Sequence, residues 1–238
     1  KHTWGCFDYS QQEPRLVAHY ALKFKLGSVN PIADSYDTDP STDFHKIVAD
    51  MAGIPRTQAK TINLGLFYGM GKNKLQAELG VSKLQADDLF KQYHTKVPFV
   101  KQLMDAVMSR AQRKGKVRTL LGRLCRFPLW EPNQFGIHKP LPHDDALAEH
   151  GPGIRRAFTY KALNKLIQGS AADMTKKAMI DLHAEGIIPH LQVHDELDIS
   201  IQNKKEAEKI RDIMESTVSL EVPNKVDYEE GDNWGSIK

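Results

Sequence analysis

The stretch LQVHDELDISI, residues 191–201, constrains this 238-residue chain more than any other. Leu191, Val193, Leu197, Ile199 and Ile201 share one parity, while Gln192, His194, Glu196, Asp198 and Ser200 share the other. A period of two belongs to a half-buried strand or hairpin. Asp195 breaks the pattern, because it falls on the apolar parity, where an unpaired carboxylate is costly. A fold for this chain must therefore bring Asp195 a partner. The candidate is Asp8 in FDYS, at the end of an apolar run and just before a turn. Two carboxylates at the ends of neighbouring strands repel each other. Cations that take a few carboxylate oxygens and leave room for water and phosphate remove the penalty, which suits Mg2+. Two such ions can hold the attacking and leaving oxygens of a phosphoryl displacement. On these two residues alone, a turn aspartate and a hairpin-tip aspartate are the better account.

A second pattern shifts that balance. Arg56, Lys60, Leu64 and Tyr68 recur every four residues, so they lie along one drifting helix face. The stripe is about 18 Å long. Its first half is doubly cationic and gains from the helix dipole, and its second half is apolar and aromatic. That gradient suits a nucleoside triphosphate, with phosphates toward Arg56 and Lys60 and sugar and base toward Leu64 and Tyr68. An ordinary amphipathic helix with two surface cations is the competing account.

Net charge is only +3, but residues 101–126 carry eight basic side chains, Arg118 and Arg123 among them, against the single acid Asp105. Such a block suits a nucleic-acid backbone, and a solvated helix face explains it equally well. The segment DYEEGD, 227–232, is acidic. No run approaches the roughly eighteen apolar residues of a membrane span. Cys6 and Cys125 suggest neither a zinc site nor a disulfide framework, so reduced thiols in a cytoplasm are expected.

The coarse pattern predicts α+β. A short strand should precede a turn broken by Pro14 and then a helix, and residues 27–40 read as loop. A helix capped by Ser41 follows, then one over 55–71 opened by Pro55. Two more helices are expected at 72–80 and 82–113. A hairpin should turn at Leu121–Gly122, a proline-rich loop should cover 128–153, and a long helix should start near 154. The hairpin around Asp195 and a final helix from Asn203 complete the expectation.

These residues resemble the family A DNA polymerases. DYSQQEPR is similar to motif A, whose usual form is DYSQIELR. RTQAKTINLGLFYGMG is similar to motif B, R-x-x-x-K-x-x-x-[FY]-G-x-x-Y-G, and QVHDEL to motif C. The three stand in the family's order and at comparable spacing. TLLGR and ALNKLIQGSAAD resemble segments between motifs B and C, so the likeness spans nearly the whole chain.

The resemblance implies a right-hand palm, an antiparallel sheet with helices, joined to mainly helical fingers. Residues 1–30 and 155–238 would be palm and residues 31–154 fingers. It implies DNA-directed DNA synthesis on primer–template DNA with deoxynucleoside triphosphates. Asp8 and Asp195 would ligate two Mg2+ ions with the Tyr9 carbonyl, and Glu196 would support them. Lys60 would contact the phosphates and protonate the leaving pyrophosphate, with Arg56 and His45 gripping the same triphosphate. Tyr68 would stack near the nascent pair, Leu64 would lie by the sugar, and Glu13 would crowd the 2′ position. Gln11, Arg15 and His194 would support the primer terminus and the active-site network. Asn164 and Gln168 would probe the minor groove, where correct pairs present acceptors at similar places.

Leu64 departs from the family's Phe or Tyr, Gln12 and Pro14 replace its Ile and Leu, and Tyr160 stands where repair-type members carry Arg. These departures favour a phage-type enzyme, in a bacterial or phage-infected cell. Motif A begins at residue 8, so a thumb and an exonuclease region are expected elsewhere, in the same polypeptide or as a partner chain. The alternatives are a non-catalytic DNA-binding fragment and a single-subunit RNA polymerase. Glu13 argues against the latter, and intact Asp8, Lys60 and Asp195 argue against decay.

Overall fold

The computed structural model describes residues 3–68, 70, 72–134 and 136–237. In chain order its elements begin with β1 (Thr3–Tyr9), α1 (Gln12–Lys23), α2 (Asn30–Thr38), α3 (Phe44–Ala52) and α4 (Arg56–Phe67). Then come α5 (Lys72–Leu79), α6 (Lys83–Lys96), α7 (Pro98–Lys114), β2 (Lys116–Arg118), β3 (Leu124–Arg126) and β4 (Trp130–Pro132). They close with α8 (His143–His150), β5 (Ile154–Arg156), α9 (Ala162–Ala184), β6 (Leu191–Val193), β7 (Glu196–Ile201), α10 (Lys204–Ser216) and β8 (Val226–Gly231). Among the described residues, no helix is long and apolar enough to cross a membrane.

The chain divides into two units, one of Lys1–Ile47 with Ser170–Lys238 and the other of Val48–Gly169. The first holds a four-stranded sheet in the order β6-β7-β1-β8, antiparallel throughout. Its β1 is central because it is apolar on one face, with Phe7 and Tyr9 buried. Phe7 tilts against Tyr228 of β8, and the Tyr9 hydroxyl donates to the Met214 carbonyl of α10 at 2.7 Å. Helix α10 begins where the Asn203 side chain accepts from the Glu206 N–H, and it buries Ala207, Ile210 and Met214. Helix α1 is tied to α9 by the Gln12 amide donating to the Thr175 hydroxyl at 3.2 Å.

The second unit is mainly helical. Helix α4 buries Ala59, Ile62, Asn63, Leu66 and Phe67. The Tyr93 hydroxyl of α6 satisfies the buried Asn63 carbonyl. A Cβ on Gly65 would lie 2.7 Å from Leu75 Cδ1, so only glycine lets α5 pack this closely. A capping box of Ser82 and Gln85 opens α6. Gly115, at φ 66, ends α7 and leads into the hairpin β2–β3. That hairpin turns over Thr119–Gly122, at the predicted place.

Several expectations need correcting. Residues 27–40 are not loop: Pro31 sits in the first turn of α2, and Ile32, Ala33 and Tyr36 form its buried stripe. The cap of α3 is Asp43, not Ser41, since its Oδ1 accepts from the N–H groups of His45 and Lys46. Residues 82–113 are two helices, because Pro98 lacks the N–H that would continue α6 and instead opens α7. The 128–153 segment holds β4 and α8, and residues 154–161 form a strand and a short turn of 3-10 helix before α9 begins. The acidic 227–232 stretch is mostly an edge strand, β8.

Candidate active site

Register places the carboxylates. Asp8 lies directly opposite Glu196 of β7 on one side and opposite Asp227 of β8 on the other. Asp195 stands one residue before β7 and accepts the Tyr9 N–H with its carbonyl at 3.3 Å. Asp8, Tyr9, Asp195 and Glu196 are thus neighbours at one end of a sheet, as the sequence required. The anomaly of Asp195 also resolves. It belongs to the two-residue connection between β6 and β7, not to the strand, and its parity is that of a turn residue. The other half of the parity argument fails, since Glu196 and Asp198 are 8% and 0% exposed, so both faces of β7 are covered. The Trp4 indole N–H meets Asp198 at 3.1 Å.

Like charges directly opposite on adjacent strands destabilise a sheet. Burial raises the Asp195 carboxyl above its ordinary range, and Glu196 pushes the same way, against the opposing pull of its own backbone N–H and of His194. Carboxylates at neighbouring strand-end positions, one with a raised cost of ionisation, are of the type that suits a hard divalent cation, while among the described residues the group whose ligand atoms lie within 4.8 Å of one another is Cys6, Glu196 and Asp198. Asp227 is a neighbour of Asp8 that sequence reasoning missed. Its signal was the alternation of Asp227 and Glu229 about Tyr228, hidden by the acidity of the segment. Lys225 neutralises part of the Asp227 charge.

Both carboxylates stand beside strained backbone. His194, just before Asp195, has φ 54, and Gln11, three residues after Asp8, has φ 52. Positive φ at non-glycine residues persists only where the surroundings over-determine it. At His194 the two-residue connection favours it. The Gln11 amide is engaged within the chain: it donates to the Thr42 carbonyl at 2.9 Å and accepts the Phe44 N–H at 2.8 Å.

The remaining candidates fall into distinct settings. Glu13 is half-buried in the first turn of α1. His45 is buried in the first turn of α3, edge-on to the Phe44 ring. Arg15 differs most from expectation. It is 2% exposed, and it donates to the carbonyls of Ser10, Pro223 and Pro40 at 2.7, 2.6 and 2.5 Å while lying over the Tyr36 ring. With its donors committed to backbone carbonyls, it braces the turn after β1 and does not face a DNA strand.

In the second unit, Arg56 and Lys60 lie on the exposed face of α4, Leu64 is half-buried on the same stripe, and exposed Tyr68 caps the helix end, so the stripe is the solvent side of that helix. Asn164 and Gln168 sit one turn apart on α9, half-buried and exposed. Arg118 closes its own hairpin by donating to the Gly122 carbonyl at 2.8 Å, and Arg123 donates to the Gly169 carbonyl at 2.6 Å. Both guanidinium groups remain at the surface.

The profile described as DNA polymerase family A matches residues 1–236. The chain is similar to a DNA-directed DNA polymerase of Pseudomonas phage M6, 36% identical over 273 residues that cover 98% of this chain and 38% of that protein. It is similar to DNA polymerase I of Geobacillus stearothermophilus, 35% identical over 243 residues, covering 97% of this chain and 26% of that protein. Among solved structures it resembles the POL domain of Pol1 from M. smegmatis in complex with DNA primer-template and dNTP, with a TM-score of 0.76 and 28% identity over 99% of this chain and 40% of that one. The chain therefore spans well under half the length of the relatives it matches. Across almost all of its own length, it belongs to the family A DNA polymerases.

Proposed function

We propose that the protein carrying this chain is a DNA-directed DNA polymerase, which adds deoxynucleotides to a primer 3′-hydroxyl on a DNA template. The observation that carries this reading is the row of Asp8 and Glu196 at adjoining strand ends with Asp195 beside them. The family is divalent-metal dependent, and two Mg2+ ions held by Asp8, Asp195 and the Tyr9 carbonyl suit the donor set. Such ions, when bound, stabilise charge on the attacking and leaving oxygens.

In the reaction the primer 3′-hydroxyl gives up its proton to solvent as its oxygen bonds to the α-phosphorus, and the bond from that phosphorus to the bridging oxygen of the β-phosphate breaks. Pyrophosphate leaves. Chemistry of this kind is positioning and charge stabilisation more than covalent catalysis. Arg56, Lys60 and His45 take the triphosphate, and the Lys60 ammonium supplies a proton to the leaving pyrophosphate. Glu13 crowds the 2′ carbon and excludes ribonucleotides. Tyr68 stacks by the nascent pair, while Asn164, Gln168, Arg118 and Arg123 meet the duplex. The partners are primer–template DNA and deoxynucleoside triphosphates, as in the complex of the M. smegmatis relative, together with a thumb and exonuclease region in the same polypeptide or a second chain.

Asp195→Ala tests the reading. Primer extension should fall by about three orders of magnitude or more, while primer–template affinity changes by less than about threefold. Extension near the wild-type rate would remove Asp195 from the chemistry.

A further inference from the structure

Asn63 is the anomaly of α4. It lies in the middle of the helix, on the buried side, and is 0% exposed. Asparagine is a poor residue for a helix interior, and a buried amide is costly unless it is bonded. The Tyr93 hydroxyl of α6 donates to its carbonyl, and Tyr93 is fully buried as well. Burial raises the Tyr93 pKa above its ordinary value, so the phenol keeps the proton it donates. The rest of the buried side of α4 is Ala59, Ile62, Gly65, Leu66 and Phe67. Apolar contact is non-directional, whereas a hydrogen bond fixes both a distance and an angle.

Asn63 stands one turn beyond Lys60 and next to Leu64. Residues three apart on a helix are neighbours, so a rotation or slide of α4 at Asn63 carries Lys60 and Leu64 with it. The adjoining residue of α6 holds the entry to the same helix. The Gln92 amide donates to the carbonyl of Ala52, the last residue of α3, at 2.8 Å. Residues 53–55 then lead into α4, with Gly53 at φ 69 making the turn. A Cβ on Gly53 would lie 3.3 Å from the Gln92 amide nitrogen. Two consecutive side chains of α6 thus fix the entry to α4 and its middle.

We infer that Tyr93 is a positioning residue for the incoming nucleotide: it acts through Asn63 to hold Lys60 and Leu64 in place, and being buried it does not touch the nucleotide. The inference rests on the proposed polymerase reaction, in which those two residues meet the phosphates and the sugar. It accounts for a polar pair at a place where leucine and phenylalanine would pack at no greater cost.

Tyr93→Phe removes the hydroxyl and keeps the ring. In the full-length protein, KM for deoxynucleotide should rise about tenfold with a smaller fall in kcat, while primer–template affinity holds within about twofold. Thermal unfolding should come at a lower temperature, since the Asn63 carbonyl loses a buried donor. Combining Asn63→Leu with Tyr93→Phe separates position from stability. An apolar pair of similar shape should restore the unfolding temperature and leave KM raised. Amide hydrogen exchange over residues 60–64 should quicken in Tyr93→Phe. A wild-type protein that fails to extend a primer would overturn the functional reading alone. A KM that is unchanged in Tyr93→Phe, or that returns with stability in the double variant, would overturn the role of Tyr93 in placing the nucleotide. Unchanged exchange over residues 60–64 would overturn its hold on α4 whatever the activity.

Discussion

The two regions proposed to bear the chemistry are built in opposite ways. Around β1, each functional group is placed by something covalent or buried. Asp8 and Glu196 are set by strand register, Asp195 by a two-residue turn, and Gln11 and Arg15 by bonds to backbone carbonyls and an amide. Along α4, Arg56 and Lys60 stand on the exposed face of the helix at four-residue spacing, and exposed Tyr68 follows its last residue. The first arrangement suits ligands that must sit still for a metal, since a small displacement there is costly. The second suits the proposed role of long side chains that adjust to a charged, mobile nucleotide. Disturbing the first should act through protonation and metal. Disturbing the second should act on substrate choice.

The largest such effect is expected from a buried histidine beside the sheet. His19 is 4% exposed, and its Nδ1 accepts the Glu221 N–H at 3.0 Å. Burial, with Lys23 nearby, lowers its pKa to about 4 from an ordinary 6.5. The folded state thus binds the proton less well than the unfolded one. Stability is full above pH 6.5 and is lost as pH falls toward 4, by at most about 3 kcal/mol. His19→Gln retains an acceptor for the Glu221 N–H and cannot titrate. Denaturant titrations across this range should show a shallower loss for the variant, and equal slopes would mean that His19 protonates as readily folded as unfolded.

A smaller effect belongs to α4. Leu64 lies on the stripe and has no polar atom. A tyrosine there can offer a hydroxyl near the 3′ position of the sugar, in partial replacement of the hydrogen bond a dideoxynucleotide lacks. The difference is about 1–2 kcal/mol, or roughly ten- to thirtyfold. Leu64→Tyr should relax discrimination against dideoxynucleotides by that factor, while Leu64→Phe alters nucleotide affinity and leaves the discrimination in place. Steady-state incorporation of both sugars by the three proteins makes the comparison. Equal discrimination by leucine and tyrosine would detach residue 64 from the sugar.

The same contrast explains what could be read from the sequence. Helices α4 and α10 and the β6–β7 hairpin have clear periods, and the three polymerase motifs lie on or beside strands and helices whose local pattern is unambiguous. Helix α2 was hidden because its outward positions, exposed Asp34 and Asp37 and half-buried Ser35, are turn-forming types, and only Ile32, Ala33 and Tyr36 report its buried side. Strand β8 was hidden because its charges look like a tail. Burial of Glu196 and Asp198 could not be read at all: alternation implies one wet face, and only the finished sheet shows that both are covered. Arg15 carries the same lesson, since a motif identifies the residue but not the three carbonyls that occupy it.

The central claim is that the strand-end carboxylates are arranged for a divalent cation at the expense of the metal-free fold. Thermal unfolding of Asp8→Asn and wild-type protein, with and without Mg2+, tests it most directly. Without metal, the variant should unfold at a temperature equal to or higher than wild type, because a neutral amide at position 8 no longer repels Glu196 and Asp227 across the sheet. On adding Mg2+, wild type should gain stability and the variant should not. A variant that is less stable without metal, or that keeps the full response to Mg2+, would contradict the account.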